Sequence, residues 1–192
     1  MVIGILYPTI SEENRHEESI ITFARDFAFA FRQSGIFSKC YVFVLPEMKK
    51  FMMQQLNYDT TENRMSVESI AEFIGSVADF DIDILYDMSS VHMQHPYSLK
   101  HILSVKNIPV LIKLLLPSEL GQLSLQLESP LPTKFQCYSY FVCLNMGQKR
   151  RVDWLLEKDE QQRFHPQSIY IPQGINLEIY RQNFSFGKQL HL

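Results

Sequence analysis

Apolar residues along the chain fall in short continuous runs, separated by stretches in which they recur at helical spacing. Val2-Ile-Gly-Ile-Leu-Tyr7 is one such run, closed by Pro8, and its lack of polar alternation predicts a strand buried on both faces of a sheet. A polar stretch, Thr9–Glu18, follows. Ile20, Phe23, Ala24, Phe27, Ala30 and Phe31 then mark one face of a helix over Ser19–Gln33, with Gly35 where a helix C-terminal glycine belongs. Cys40–Leu45 predicts a second strand, stopped by Pro46. Met48–Arg64 has only a weak helical pattern and is expected to be a mobile excursion. Ser66 is expected to cap a helix through Val67, Ile70, Ala71, Ile74 and Val77, with Ser69 and Glu72 in its first turn. Strands over Asp81–Tyr86 and Ile108–Leu116 flank helix signals around Tyr97–Val105. Ser118–Lys134 has leucines alternating at Leu123, Leu125 and Leu127, then Pro130 and Pro132, and reads as a short hairpin or a flap. A strand at Tyr138–Leu144, an amphipathic helix over Gly147–Lys158 and a last strand at Ser168–Ile171 follow. In that helix Val152, Leu155 and Leu156 are expected inward, and Gln148, Arg151, Glu157 and Lys158 outward.

The β, α, β, α alternation predicts an α/β chain: a single Rossmann-like domain with a mainly parallel sheet flanked by helices. Ile3–Tyr7, Val42–Leu45, Ile82–Tyr86 and Val110–Leu114 are expected side by side. The length of 192 residues suits one such domain and cannot hold two. A net charge of −3 leaves no general footprint for nucleic acid. Three cysteines, Cys40, Cys137 and Cys143, lack metal-type spacing, and reduced, buried thiols in a cytoplasmic protein are expected. The N-terminus lacks a basic leader, and no apolar stretch reaches membrane-spanning length. No Gly-x-Ser-x-Gly elbow, phosphate-binding P-loop or Gly-x-Gly-x-x-Gly fingerprint occurs, which argues against hydrolase, P-loop and dinucleotide chemistry. His92-Met-Gln-His95 and His101 invite a metal, but no third ligand accompanies them and Pro96 breaks the local helix, so no metal and no cofactor are expected.

One stretch is more specific. Ile169-Tyr-Ile-Pro-Gln-Gly-Ile-Asn-Leu-Glu-Ile-Tyr-Arg181 joins a short β-rich run to a turn at Pro172 and Gly174 and then to a hydrophobic tail. It resembles the crossover of GT-B glycosyltransferases, where a phrase like IPNGVDLERFRP leads from the first Rossmann-like domain into the second. Asp81–Asp87, Pro109–Leu116 and Tyr140–Asn145 stand in the order of further strands of family-4-like members. The resemblance implies an N-terminal domain over residues 1–174 and a crossover tail over 175–192, the donor-binding domain being absent. It further implies the acceptor-side half of an enzyme transferring sugar from a nucleotide sugar, with a companion donor-domain chain or a lost region completing the site. The alternative is a non-catalytic module, derived from such an enzyme, that binds a glycan or a protein.

Departures from the family pattern weigh on the donor side. The first loop, Pro8–Glu18, has no glycine and carries four carboxylates, and the family's strand histidine falls at Leu115. The chain alone is therefore expected to be inactive, and its catalytic residues are not assigned. Arg15, His16, Asp87, His92 and His95 are candidates for an acceptor-side pocket, because α/β proteins bind ligands at the C-terminal edge of the sheet. Ordinary surface polarity is the other explanation for them. Ile175, Leu177, Ile179, Tyr180 and Phe184 would seek cover in a companion chain or a second copy, a role shared with Phe186. Lys149, Arg150 and Arg151 beside Trp154 could meet anionic lipid, but a solvated helix with Trp154 anchored in the core is the preferred expectation.

Overall fold

Val2–Leu6 forms β1, an interior strand of a sheet, in a computed structural model that describes residues 1–7, 30, 34–55, 65–75, 80–88, 108–115, 119–127, 138–158 and 166–171. The other strands are β2 (Lys39–Val44), β3 (Met65–Ser69), β4 (Ile84–Asp87), β5 (Val110–Leu114), β6 (Tyr140–Cys143) and β7 (Gln167–Tyr170). All pairings are parallel, and the seven strands run in the order β3-β2-β1-β4-β5-β6-β7. The chain is thus an α/β, Rossmann-like domain, and the expected neighbours β2, β1, β4 and β5 do lie side by side. Winding goes outward to β3, returns to the far side of β1 and continues to β7, so the connection reverses between β1 and β4. In open α/β sheets the crevice that takes a ligand lies at such a reversal, at the C-terminal ends of the two strands.

Each strand divides its residues between two cores, because successive side chains point to opposite faces. On one face Leu6, Phe43, Leu85, Leu111 and Phe141 pack under α2 (Ile70–Gly75), α3 (Glu119–Leu127) and α4 (Met146–Glu157). On the other, Ile3, Ile5, Val42, Val67 and Val142 pack with Met48 and Met52 of a 3-10 turn (Pro46–Met48) and α1 (Lys49–Gln55). Gly4 sits where the first core is tightest: a β-carbon there would lie 2.8 Å from Ile82 Cδ1 and 3.0 Å from Phe43 Cε2.

Several local expectations change. Met65–Ser69 is a strand, not the start of a helix capped by Ser66; Met65, Val67 and Ser69 are buried in alternation and pair in register with β2. The helix starts after it, where the Glu72 amide donates to Ser69 Oγ (3.1 Å) and the Ser69 amide donates to Glu72 Oε2 (2.9 Å), a reciprocal cap. The excursion expected from Met48 begins instead as a turn and α1, with Met48 and Met52 filling the core as flexible thioethers do. Glu119–Leu127 is α3 rather than hairpin or flap; Leu120 and Leu123 share a helical face, a spacing as present in the sequence as the leucine alternation. Ala30 and Ser34 are helical and Gly35 follows at φ 62°, as a helix-ending glycine should. The rest of the Ser19–Gln33 helix and the one around Tyr97–Val105 lie outside the described residues. No helix among the described residues is long and apolar enough to cross a membrane.

Candidate functional site

Asp87 is the last residue of β4 and stands at the crevice, opposite Leu6 of β1 on one side and Lys113 of β5 on the other. Alternation places it on the α2–α4 face with Leu85, and Lys113 on the same face with Leu111 and Leu115. Both are sequestered, at 1% exposure each, and Glu119, opening α3, is at 0%. The Tyr138 hydroxyl donates to the Asp87 carboxylate from the chain entering β6. Lys113 Nζ lies 3.3 Å from Glu119 Oε1 and donates to the Leu114 carbonyl at 3.0 Å. A buried polar group of two carboxylates, an ammonium and a phenol therefore underlies the crevice. Burying such charges is tolerated only when each finds partners.

The contacts of this group tie the end of β4 to the chain entering β6, and β5 to the first turn of α3. On the opposite face Tyr86, Met88 and Tyr7 close the floor, and burial, then the charge of Asp87, pushes the Tyr86 phenol up. Met88 extends the ladder past β4, its amide donating to the Leu6 carbonyl at 2.9 Å. Gln148, expected to point outward on α4, is instead 5% exposed. Its Oε1 accepts from the Leu144 amide at 2.8 Å and its Nε2 donates to the Leu115 carbonyl at 2.6 Å. The side chain faces inward because two strand-end backbone groups need partners there. Asn145 caps the same helix, accepting from the Gln148 amide at 2.7 Å.

Two further polar groups flank the sheet. Lys149 bonds Asp153 at 2.7 Å and Ser168 at 3.0 Å, and Ser168 also donates to Asp153, tying α4 to β7. Burial would raise the Asp153 carboxyl, but the Lys149 and Ser168 bonds and the lysine charge hold it below its usual range. At the other side Lys49 reaches Glu68 and Glu72, each at 2.9 Å. The Ser69 amide, then Lys49, holds the Glu72 carboxyl down at about 2. Cys40 and Cys143 are free and buried, as expected. Trp154 departs from expectation: it is 41% exposed rather than anchored in the core, while Val152 and Leu155 fill the inward positions of α4.

Of the acceptor-pocket candidates, Asp87 falls at the crevice; Arg15, His16, His92 and His95 lie outside the described residues, as do Pro172, Gly174 and the tail from Ile175 to Phe186. Among the described residues no group of three or more His, Cys, Asp or Glu side chains is placed to hold a metal ion. Sequence reasoning missed Lys113, Glu119 and Tyr138. Lys113 was open to detection as the lone charge in Ile108–Leu116, a run otherwise fit for burial on both faces. Comparison with protein-family models, curated proteins and solved structures yields no match.

Proposed function

We propose that this domain is the acceptor-side half of a GT-B-like glycosyltransferase, contributing to sugar transfer from a nucleotide sugar held by a donor domain on a further stretch of chain or on a companion chain. The observation that carries this reading is the place of the crossover-like segment. Its strand, Ile169–Ile171, overlaps β7, the terminal strand of an all-parallel sheet, and the Ile171 amide still donates to the Cys143 carbonyl at 3.1 Å. β7 therefore ends at the sheet's C-terminal edge, the edge that also carries Asp87, and Pro172 is next in the sequence. A donor domain joined there would face the crevice between β1 and β4. The buried group around Asp87 supports an acceptor by fixing the shape of the crevice floor.

A glycan array probed with the labelled chain tests the acceptor side, and calorimetric titration with UDP-, GDP- and ADP-sugars tests the donor side. The expected outcome is retention of particular glycans, weakened in Asp87→Asn, with no appreciable heat from the nucleotide sugars. A micromolar nucleotide-sugar dissociation constant for this chain alone, about −8 kcal/mol, would overturn the division of labour. An array with no retained glycan would overturn the acceptor assignment.

A further inference from the structure

β7 is the last strand of the sheet, and among the described residues nothing pairs with its outer side. The Gln167 amide donates to the Ser139 carbonyl at 3.0 Å and the Ile171 amide to the Cys143 carbonyl at 3.1 Å, so Gln167, Ile169 and Ile171 turn their backbone groups toward β6. Alternation then turns those of Ser168 and Tyr170 to the open side. From 166 to 172 the sequence reads Pro-Gln-Ser-Ile-Tyr-Ile-Pro, so the next position of the same parity in either direction is a proline, which has no N–H. The open side thus offers the N–H and C=O of Ser168 and Tyr170, placed symmetrically about Ile169 and bounded by positions without a donor. Its side chains are apolar and exposed: Ile169 at 36%, Tyr170 at 38% and Ile171 at 50%. Edge strands are ordinarily blunted by a charge within the strand or by cover. β3, at the opposite margin, fits that rule, since every second residue is buried and Lys49 holds Glu68 at 2.9 Å. β7 carries no charge and is largely exposed.

We propose that β7 pairs antiparallel with β7 of a second copy, about a two-fold axis through Ile169, joining two sheets into one. A two-fold axis normal to the sheet makes two copies of one edge strand antiparallel. With Ile169 opposite its own copy, Ser168 of each chain faces Tyr170 of the other, and each such pair exchanges both of its N–H···O bonds. Moving the axis to Ser168 or to Tyr170 leaves the carbonyl of Tyr170 or of Ser168 facing a proline, without a donor. The bonding set is therefore its own complement in one register, which favours a second copy over a foreign peptide, and no charge on the strand opposes a like strand. The helices allow the approach. α4 connects β6 to β7, so with strands about 4.8 Å apart its axis would stand about 10 Å from that of its copy, an ordinary packing distance. At the axis the two Ile169 side chains, exposed in one chain, cover each other. This inference does not rest on the glycosyltransferase reading.

Sedimentation velocity of the whole chain over a concentration series tests it. The expected result is a reversible rise from the 22.5 kDa of one chain to twice that mass. Ile169→Lys and Ile169→Asp should each weaken association by about tenfold or more, because like charges then stand directly opposite. An equimolar mixture of the two variants should recover a mixed dimer, since residue 169 meets its own copy. Ile169→Cys, which keeps the strand uncharged, should be trapped as a disulfide-linked dimer under mild oxidation, as a Cα separation of about 4.5 Å suits the bond. Ile36→Lys, at an apolar residue 61% exposed and away from β7, should leave association unchanged, and Ile36→Cys should give no linked dimer. The circular dichroism of every variant should match wild type. A single-chain mass at every concentration overturns the proposal, as would follow if residues beyond Ile171 cover the edge. So does a dimer that survives Ile169→Lys, or a lysine and an aspartate variant that fail to combine when mixed.

Discussion

Glu119→Ala should destabilise the domain by about 3–5 kcal/mol, because it removes one member of a buried ion pair and leaves the other in place. Lys113 is 1% exposed and Glu119 0%, with 3.3 Å between Nζ and Oε1, so neither can turn to water without moving α3 or β5. The loss is large against a domain stability of about 5–15 kcal/mol. With a urea slope of about 2 kcal/mol per molar, the unfolding midpoint should fall by about 2 M. Equilibrium urea unfolding of wild type, Glu119→Ala, Glu119→Gln and the double variant Lys113→Met/Glu119→Leu measures this. The double variant should recover to within about 1 kcal/mol of wild type, since an apolar pair avoids the desolvation cost of both charges. Should Glu119→Ala fail to fold, Glu119→Gln carries the comparison, with a smaller loss because one acceptor oxygen remains. Near-wild-type midpoints for both single variants, or a double variant no better than the worse single, would refute this account of the polar group under the crevice.

Gly4→Ala should cost about 1–3 kcal/mol by overpacking, since its β-carbon would meet Ile82, Phe43 and Leu85 within 3.1 Å; Gly121→Ala in α3, with nothing within 4 Å, should raise the melting temperature slightly in the same thermal scans. Glu72 has its folded carboxyl lowered from 4.5 to about 2, so its contribution is fully present above pH 4.5 and disappears as the pH falls toward 2. With the side chain 53% exposed, solvent screening limits that contribution to about 0.5–1 kcal/mol, and the gap between wild type and Glu72→Gln in urea should close over this window; a gap unchanged at low pH would contradict the cap. Burial pushes the Cys40 thiol up to about 12, and burial with the charge of Asp153 pushes Cys143 to about 11, so peptide-level mass spectrometry should find both unalkylated by iodoacetamide in the native protein at pH 8 and labelled only on unfolding.

Legibility along the chain followed the depth of burial. β1, β2, β4 and β6 are written as apolar runs, and β5 as one broken only by Lys113, because an interior parallel strand is covered on both faces, and such a run has few other uses. β3 lies at one margin of the sheet, and its Met-Ser-Val-Glu-Ser alternation carries only two strongly apolar residues. Val67 and Ile70 also stand three apart, so a helical stripe competed with the strand pattern. The cap at Ser69 and Glu72 was visible in the residues, but which serine ended the strand depended on the pairing with β2. The α3 leucines fit both periods, and the tertiary packing of Leu123 chose the helix.

By itself the sequence determined the α/β class, the central strands and their parallel sense, and Asp87 at a strand end, since these follow from local periodicity, proline and glycine positions, and the rules of chain connection. Only the tertiary structure decided which polar side chains turn inward. Lys113, Glu119, Tyr138 and Gln148 resemble surface residues one at a time, and each is buried because a partner on another element awaits it: Glu119, Lys113, Asp87 and the Leu115 carbonyl. Trp154 is the converse, a residue fit for a core that stands outside it between Arg151 and Lys158. Burial of a polar group is settled by pairs brought together from different elements, and a one-dimensional pattern of apolar and polar positions carries no record of those pairs.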